Sequence, residues 1–406
     1  MLAWILGIVL FAIGICASVA LHEAGHMFAA KAFGMKVRRF YIGFGPKLWS
    51  IRRGETEYGI KALPLGGFCD IAGMTALDEV TPDEAPRAMW RFAAWKRVTV
   101  MVAGIAMNVV LGFIILYLMA VTFGLPNLTG TPIISGVDCA APTQNVKTLD
   151  YAKCGPDDPS PAKDAGLLPG DEIISVNGKE TPTWTELVAT VQKLEGPNKF
   201  GILRDGTERT LTIDVPEVQR VVPDPDGDEG AKKLVAVGAI GVTNTLNFEY
   251  NAASAVGGTL SFTGDVLVKT WQGLLAFPEK IPKVIEAIGG GERDPETPVS
   301  VVGASIIGGD AVEAGVWELF LLLLATLNFF LALFNVLPLL PMDGGHIAVV
   351  LYEKVRDRIR RMRGKPAGGP VDYTKLSAVT MVVVLLGGAV VLLTVTADIV
   401  NPIRLQ

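Results

Sequence analysis

Four apolar runs, each long enough to cross a lipid bilayer, constrain the fold of this 406-residue chain more than any other feature. A membrane-spanning helix needs about 20 consecutive apolar residues. The four runs comprise residues 2–20, 98–123, 316–340 and 376–397. Because half of the residues are hydrophobic and only 19% are charged, the sequence predicts a polytopic α-helical membrane protein and argues against a soluble enzyme.

The distribution of Lys and Arg predicts how these runs are oriented. The segment between the first two runs and the segment after the third run are both strongly basic. Because cytosolic loops near membrane spans carry an excess of Lys and Arg, we expect both segments in the cytosol. The segment between the second and third runs has a more acidic balance. We expect it, and both termini, on the extracytoplasmic side, which brings the ends of the first and third runs to the cytosolic side.

The first run leads directly into the motif HEAGH, residues 22–26. On a helix, residues i and i+4 lie on one face, so His22 and His26 can offer nitrogens to one metal ion. Glu23 is then placed to act as a general base on water, not as a ligand. The alternative is a histidine pair that only forms hydrogen bonds within a packed helical bundle. Because His and Glu are costly inside a bilayer, the motif favours a functional metal site.

A second candidate element, FNVLPLLPMDGGH, ends the third apolar run. Its two prolines, Pro338 and Pro341, cannot continue a regular helix. A catalytic zinc commonly has three protein ligands, and Asp343 is the expected third ligand; alternatively, it caps the helix that follows. Asn335 either satisfies backbone groups that the broken helix leaves open or binds substrate or the developing oxyanion. His346 is expected to have a supporting or structural role.

Two cysteines lie close together in the predicted extracytoplasmic segment. Cys139 and Cys154 are expected to form a disulfide that closes a short loop, because disulfides persist outside the reducing cytosol. The alternative is a pair of reduced thiols.

Three motifs carry a family resemblance: HEAGH on the first run, GIAMN at 104–108 on the second, and NVLPLLPMDGG on the third. Together they resemble the site-2 protease family of intramembrane zinc metalloproteases, of the peptidase M50 type. The resemblance implies one Zn²⁺ per chain held by His22, His26 and Asp343, and it implies substrate binding by Asn335.

Two further segments resemble the bacterial branch of this family that regulates sigma factors, and its actinobacterial members in particular. The segment KVRRFYIGFGPKLWSIRRGETEYGIKALPLGGFC alternates β-forming residues around an RRGE turn and resembles the family's membrane-associated β-hairpin. AGLLPGDEIISVNG, residues 165–178, resembles the core signature of a PDZ domain. The cysteine-bearing insert interrupts the usual PDZ pattern, so peptide binding and a purely steric role both remain open for this domain.

The predicted fold class is therefore four transmembrane helices with a membrane-associated β-hairpin and one inserted extracytoplasmic α+β PDZ domain. The predicted segments are 1–33, the first span with HExxH; 34–97, a cytosolic loop with the hairpin; 98–124, the second span; 125–217, the PDZ domain; 218–315, a linker with an interfacial amphipathic helix; 316–345, the third span with NxxPxxPxDGG; 346–375, a basic cytosolic segment; and 376–400, the fourth span.

The expected function is zinc-dependent intramembrane proteolysis in the cytoplasmic membrane, with the active site toward the cytosol. The resemblance implies substrates such as anti-sigma factors, single-span proteins that a first extracytoplasmic cut has already trimmed. The expected partners are these substrates and the lipid bilayer; no nucleic acid is implied. The alternative is a membrane metal-binding protein or PDZ scaffold without hydrolytic activity, which would have no need of Glu23.

Overall fold

The computed structural model describes residues 1–75, 78–223 and 232–405, apart from the side chains at positions 64, 65, 223 and 375. The chain forms two compact units. The first unit comprises Met1–Phe123 and Tyr250–Gln406, and the second comprises Gly124–Glu249. The second unit is therefore an insertion between the two halves of the first.

Helices account for most of the first unit. In the described residues, the helices are α1 (Leu2–Ala32), α2 (Ala94–Thr122), α3 (Pro161–Asp164), α4 (Trp184–Val191), α5 (Ser254–Ile288), α6 (Val301–Glu313), α7 (Trp317–Val336), α8 (Asp343–Met362) and α9 (Thr374–Val400). Four of them, α1, α2, α7 and most of α9, are long and apolar enough to cross a membrane. The prediction of four spans is thus confirmed for the described part of the chain.

The strands are β1 (Val37–Arg53), β2 (Thr56–Ile71), β3 (Leu125–Pro126), β4 (Ile134–Val137), β5 (Glu172–Val176), β6 (Lys179–Glu180), β7 (Gly196–Arg204), β8 (Thr207–Val215), β9 (Glu217–Pro223), β10 (Lys232–Gly238), β11 (Val242–Asn244) and β12 (Asn247–Phe248). Of these strands in the described residues, β1 and β2 belong to the first unit and the others to the second.

The predicted β-hairpin is present and is formed by β1 and β2. The second half of β1 pairs with the start of β2 around a tight turn, where Arg53 lies opposite Thr56. Gly54 occupies this turn at φ +64°, a conformation that glycine adopts at little cost. The first half of β1 pairs with the end of β2, so that Phe40 lies opposite Cys69. The end of β2 is thereby carried back toward α1, with which it is in contact.

In the described part of the segment predicted as a linker, residues 218–315, the chain forms β9 to β12 as well as the helices α5 and α6. Helix α5 begins at Ser254 and runs for 35 residues, with Pro278 and Pro282 inside it. The carbonyl of Ala252, just before α5, accepts a hydrogen bond from Tyr117 near the end of α2. Ala287 near the end of α5 accepts a weaker one from Asn401, which follows α9. The helix therefore connects the carboxyl ends of α2 and α9.

The second unit is built on a four-stranded antiparallel sheet in the order β6-β5-β7-β8. The helices α3 and α4 supply part of its core, in which Leu187 of α4 is fully buried with Ile173 and Phe200 of the sheet. The predicted boundary at residue 217 is too early. Strand β11 pairs with β4, and β12 pairs with β3, so the unit closes only at Glu249.

The segment predicted as a basic cytosolic stretch, 346–375, is largely helical. Helix α8 begins at Asp343, directly after the proline-rich segment, and continues to Met362. Met342 is the residue that precedes its first turn, and no side chain caps this end. Asp343 therefore does not act as the capping residue that one interpretation of the sequence proposed.

Candidate active site

The two histidines of the HEAGH motif lie one turn apart on α1, and their rings face the same point. Their Nε2 atoms are 3.1 Å apart, and the two rings meet nearly at right angles. Both residues are buried. The i, i+4 spacing thus produces the paired nitrogens that the sequence predicted.

Asp343, from the opposite end of the chain, completes this cluster. Its Oδ2 atom lies 3.2 Å from His22 Nε2 and 3.3 Å from His26 Nε2. Pro338 and Pro341 lie in the segment between the end of α7 and the start of α8, and the chain turns there before Asp343. The helix-interrupting segment therefore brings the first residue of α8 to the histidine pair.

A hydrogen bond from Nδ1 of His26, on the side of the ring away from the cluster, determines the tautomer of this histidine. His26 Nδ1 lies 2.7 Å from the backbone oxygen of Val100 on α2, and this contact is buried. A carbonyl oxygen can only accept, so Nδ1 carries the proton and donates it. In the neutral imidazole, Nε2 is then a lone-pair donor aimed at Asp343 and His22.

The cluster fits a tetrahedral zinc ion. Two nitrogens and one carboxylate oxygen, all buried, lie within 4.8 Å of one another. Ligand bonds of about 2.0–2.1 Å at tetrahedral angles place ligand atoms about 3.3 Å apart, close to the separations found here. Oδ2 of Asp343 has no conventional hydrogen-bond partner among the described residues. Converging acceptors repel one another unless a cation lies between them.

Gly104 on α2 makes room for this cluster. A Cβ atom built on Gly104 would stand 2.4 Å from His26 Nε2 and 3.0 Å from His22 Nε2. Any larger residue at this position would therefore displace the metal-facing nitrogens. Gly104 belongs to the GIAMN motif, which the sequence identified as a resemblance but to which it gave no role at the site.

Glu23 lies beside the cluster and is held by the end of β2. Its carboxylate accepts a hydrogen bond from the backbone N–H of Cys69. A Cβ built on Gly67 would stand 3.3 Å from Glu23 Cγ, so the absence of a side chain at Gly67 lets the strand approach closely. The sequence predicted the hairpin and Glu23 separately, and it gave no sign that the two are in contact.

The remaining predicted residues lie outside the ligand cluster. Asn335, near the end of α7, donates from Nδ2 to the carbonyl of Leu331, 3.0 Å away. Its amide oxygen and its second N–H are left for another partner. His346 packs against Tyr373, with Nδ1 3.3 Å from the phenolic oxygen. Cys139 and Cys154 form a disulfide in the second unit.

Comparisons with known proteins agree with this chemistry. The sequence model of Peptidase family M50 matches residues 10–379. The zinc metalloprotease Rip1 of Mycolicibacterium smegmatis is 49% identical over 98% of both chains, and Rip1 of Mycobacterium tuberculosis H37Rv is 48% identical over 99% of both. A putative zinc metalloprotease of Mesorhizobium japonicum is 29% identical over 84% of this chain and 87% of its own.

These relatives are metalloproteases, so they give no support to a metal-binding protein without hydrolytic activity. The match covers most of α1, all of α2 and α7, and the start of α9, as well as the motifs. The chain therefore belongs to peptidase family M50, the site-2 protease family, and is a membrane zinc metalloprotease.

Proposed function

We propose that this protein is an intramembrane endopeptidase in which His22, His26 and Asp343 hold the zinc ion and Glu23 transfers protons. The observation that carries this proposal is the convergence of three buried acceptor atoms next to a fourth ionisable residue. Both histidines and Glu23 lie on α1, which is long and apolar enough to span a membrane. The two histidines provide nitrogen ligands and Asp343 an oxygen ligand, a set typical of catalytic zinc.

Zinc bound at such ligands supplies Lewis acidity, which polarises a peptide carbonyl and acidifies water. Glu23 takes the proton from the attacking water and later gives it to the amide nitrogen that leaves. The backbone N–H of Cys69 and the close approach of Gly67 place the end of β2 against the Glu23 side chain. His26 is held in its metal-binding tautomer by the carbonyl of Val100.

The end of β2 also offers a way to hold a substrate. Peptide carbonyls in a transmembrane helix are occupied by intrahelical hydrogen bonds, so the substrate must unwind before it can be cleaved. In the described residues, the end of β2 pairs with β1 alone and lies beside Glu23. An unwound segment that adds to the hairpin as a further strand gains backbone pairing with little sequence demand.

We assign the active site to the cytosolic side of the cytoplasmic membrane. The segments that follow the two ligand-bearing runs are basic, as expected of cytosolic loops. From Leu2 to His22, a helix rising 1.5 Å per residue covers about 30 Å, which is the thickness of the hydrocarbon core. Water would then reach the site from the cytosol instead of through lipid.

We assign the second unit to the extracytoplasmic side and regard it as a PDZ domain. Its disulfide is of the kind that persists in oxidising compartments. The substrates that suit such an arrangement are single-span proteins, such as anti-sigma factors, that have lost their bulky external domain to an earlier cut. The PDZ domain would then exclude substrates that have not been trimmed.

The test compares wild type with Glu23→Gln, using full-length protein reconstituted with a trimmed single-span anti-sigma factor. The variant should retain zinc and lose at least about 100-fold in cleavage rate, since general acid–base catalysis contributes 10²–10⁴-fold. New termini are mapped by mass spectrometry, and zinc is measured by atomic emission. Glu318→Gln, which changes a carboxylate in the first turn of α7, is the matched control and should cleave normally. Cleavage by Glu23→Gln at the wild-type rate would remove Glu23 from the mechanism.

A further inference from the structure

Two buried polar atoms on facing helices lack hydrogen-bond partners among the described residues, and one can donate to the other. They are Nδ1 of His22 on α1 and the side-chain oxygen, Oδ1, of Asn108 on α2. Asn108 is only 1% exposed. We propose that Asn108 is a positioning residue: its Oδ1 accepts a hydrogen bond from His22 Nδ1 when the zinc site is formed, and so orients that ligand. This rests on the proposed role of His22 as a zinc ligand.

The two histidines of the site differ in whether Nδ1 has a hydrogen-bond acceptor. A metal-binding histidine generally donates its other N–H to an acceptor, which fixes both the tautomer and the ring orientation. His26 does so through the carbonyl of Val100 on α2. His22 has no such acceptor in the described structure. The site therefore needs one more acceptor, and α2, which already supplies the first, faces both rings at Gly104.

The packing of the helices puts Asn108 at the level of His22. Gly14 of α1 meets Leu324 of α7, and Gly112 of α2 meets Phe329 further along α7. Gly104, earlier in α2, meets His26. Thus α2 runs antiparallel to α1, and the turn that follows Gly104 lies beside the turn that precedes His26.

Helix periodicity places the side chain on the correct face. Asn108 is four residues after Gly104, so the two share one face of α2. Gly104 faces the His22 ring directly, because a Cβ there would stand 3.0 Å from His22 Nε2. Asn108 consequently occupies the position one turn away from the point where His22 meets α2.

Ser18 is the competing acceptor, because it lies one turn before His22 on the same helix and is fully buried. Its hydroxyl already donates to the carbonyl of Gly14 at 2.8 Å. A bond from His22 to Ser18 would leave Asn108 Oδ1 buried and unsatisfied, which is costly. A bond from His22 to Asn108 satisfies both atoms, and this favours Asn108.

The test measures zinc affinity of the full-length protein in detergent micelles, by competition with a chromophoric chelator. Asn108→Leu, which keeps the volume and removes the acceptor, should weaken zinc binding about 10–100-fold, the usual effect of losing such a partner. Asn108→Asp, which keeps an acceptor oxygen, should bind zinc at least as well as wild type. Equal zinc affinity of Asn108→Leu and wild type would overturn the proposal, as would equal losses in the Leu and Asp variants.

Two control variants separate orientation of His22 from general packing. Asn328→Leu removes another fully buried asparagine whose Oδ1 lacks a partner, in this case on α7, and should leave zinc affinity unchanged. Ser18→Ala should also leave it unchanged. A loss in Asn328→Leu as large as in Asn108→Leu, or a loss in Ser18→Ala alone, would reject the assignment. His22→Ala must abolish zinc binding; if it does not, the proposed metal site itself fails, and not only the role of Asn108.

Discussion

Arg97, near the start of α2, donates from Nη1 to Oε2 of Glu353 on α8 across 2.8 Å, and both side chains are only 11% exposed. The other oxygen of Glu353 accepts the backbone N–H of Val371, also at 2.8 Å. Helix α8 begins with Asp343, and α2 carries Val100, which orients His26. This ion pair therefore joins two of the helices that, with α1, position the residues of the proposed metal site.

Glu353→Ala should destabilise the protein by about 3–5 kcal/mol, because it leaves the Arg97 guanidinium buried without its counter-charge. Arg97 Nε already lacks a hydrogen-bond partner among the described residues, so no neighbouring acceptor there is placed to replace Glu353. The measurement is thermal unfolding in detergent, with Lys354→Ala at the neighbouring exposed position as control. Unfolding of Glu353→Ala at the wild-type temperature would show that this pair contributes nothing.

Gly104→Ala should impair zinc binding more than it impairs folding. The added Cβ would lie 2.4 Å from His26 Nε2, so either the ring or the helix must move, and overpacking of this kind costs about 1–3 kcal/mol. Zinc affinity and thermal unfolding are measured side by side. Gly257→Ala on α5, where nothing lies within 4 Å of the new Cβ, is the control. Full zinc affinity in Gly104→Ala would contradict this packing.

Protonation of the Asp171 carboxylate in acid should lower the free energy of unfolding of the second unit. Burial alone would raise the pKa of this carboxyl, but bonds from Arg204 at 2.6 Å and from the Leu168 N–H at 2.8 Å hold its pKa below the ordinary value near 3.9. Because the folded-state pKa is the lower one, the carboxylate contributes its full stabilisation above about pH 4. That contribution declines as the pH falls further.

Asp171→Asn should lower the free energy of unfolding of this unit by about 1.5–3 kcal/mol at neutral pH, the usual contribution of hydrogen bonds to a charged group. It should also flatten the dependence on pH below 4. Hydrogen exchange over residues 124–249 of the full-length protein measures both effects. Asp205→Asn, at an exposed position, is the control. An unchanged acid profile in Asp171→Asn would exclude this carboxylate as the origin of the acid sensitivity.

Loss of the Cys139–Cys154 disulfide should destabilise the second unit by up to about 3 kcal/mol, the loop-closure contribution for its 15-residue separation. The loop packs on β9, where the Gln219 N–H donates to Pro142 and Arg220 donates to Ala141. Hydrogen exchange at β9 should therefore rise in the variant that carries both Cys139→Ser and Cys154→Ser. Reductant should have the same effect on wild type and no effect on the variant. Identical exchange in oxidised wild type and the variant would contradict this.

The sequence predicted those parts of the candidate site that depend on particular side chains close together in the sequence. The HEAGH spacing places His22 and His26 on one face of any helix, and the prolines before Asp343 mark a break in the third span. The sequence could not predict the backbone partners. Every residue has a carbonyl like that of Val100, and every residue except proline has an N–H like that of Cys69. Only the packed structure selects them.

The sequence also misplaced the end of the second unit, for a different reason. Strand β11 has three residues and β12 has two, too few for an alternating pattern to be recognised. Their place in the unit comes from pairing with β4 and β3, more than 90 residues earlier in each case. Such long-range pairing leaves no local signal. The start of α5 at Ser254 likewise has no clear apolar pattern, because its first turns bury small and polar residues such as Ala255 and Thr259.

The separation of the proposed metal ligands by more than 300 residues of sequence has a consequence during synthesis. His22 and His26 leave the ribosome early, whereas Asp343 follows only after the whole second unit has been translated. Until α8 is made and inserted, the nascent chain has two of its three ligands and cannot assemble the hydrolytic centre. The proposed hydrolytic centre therefore stays incomplete until this late stage of synthesis.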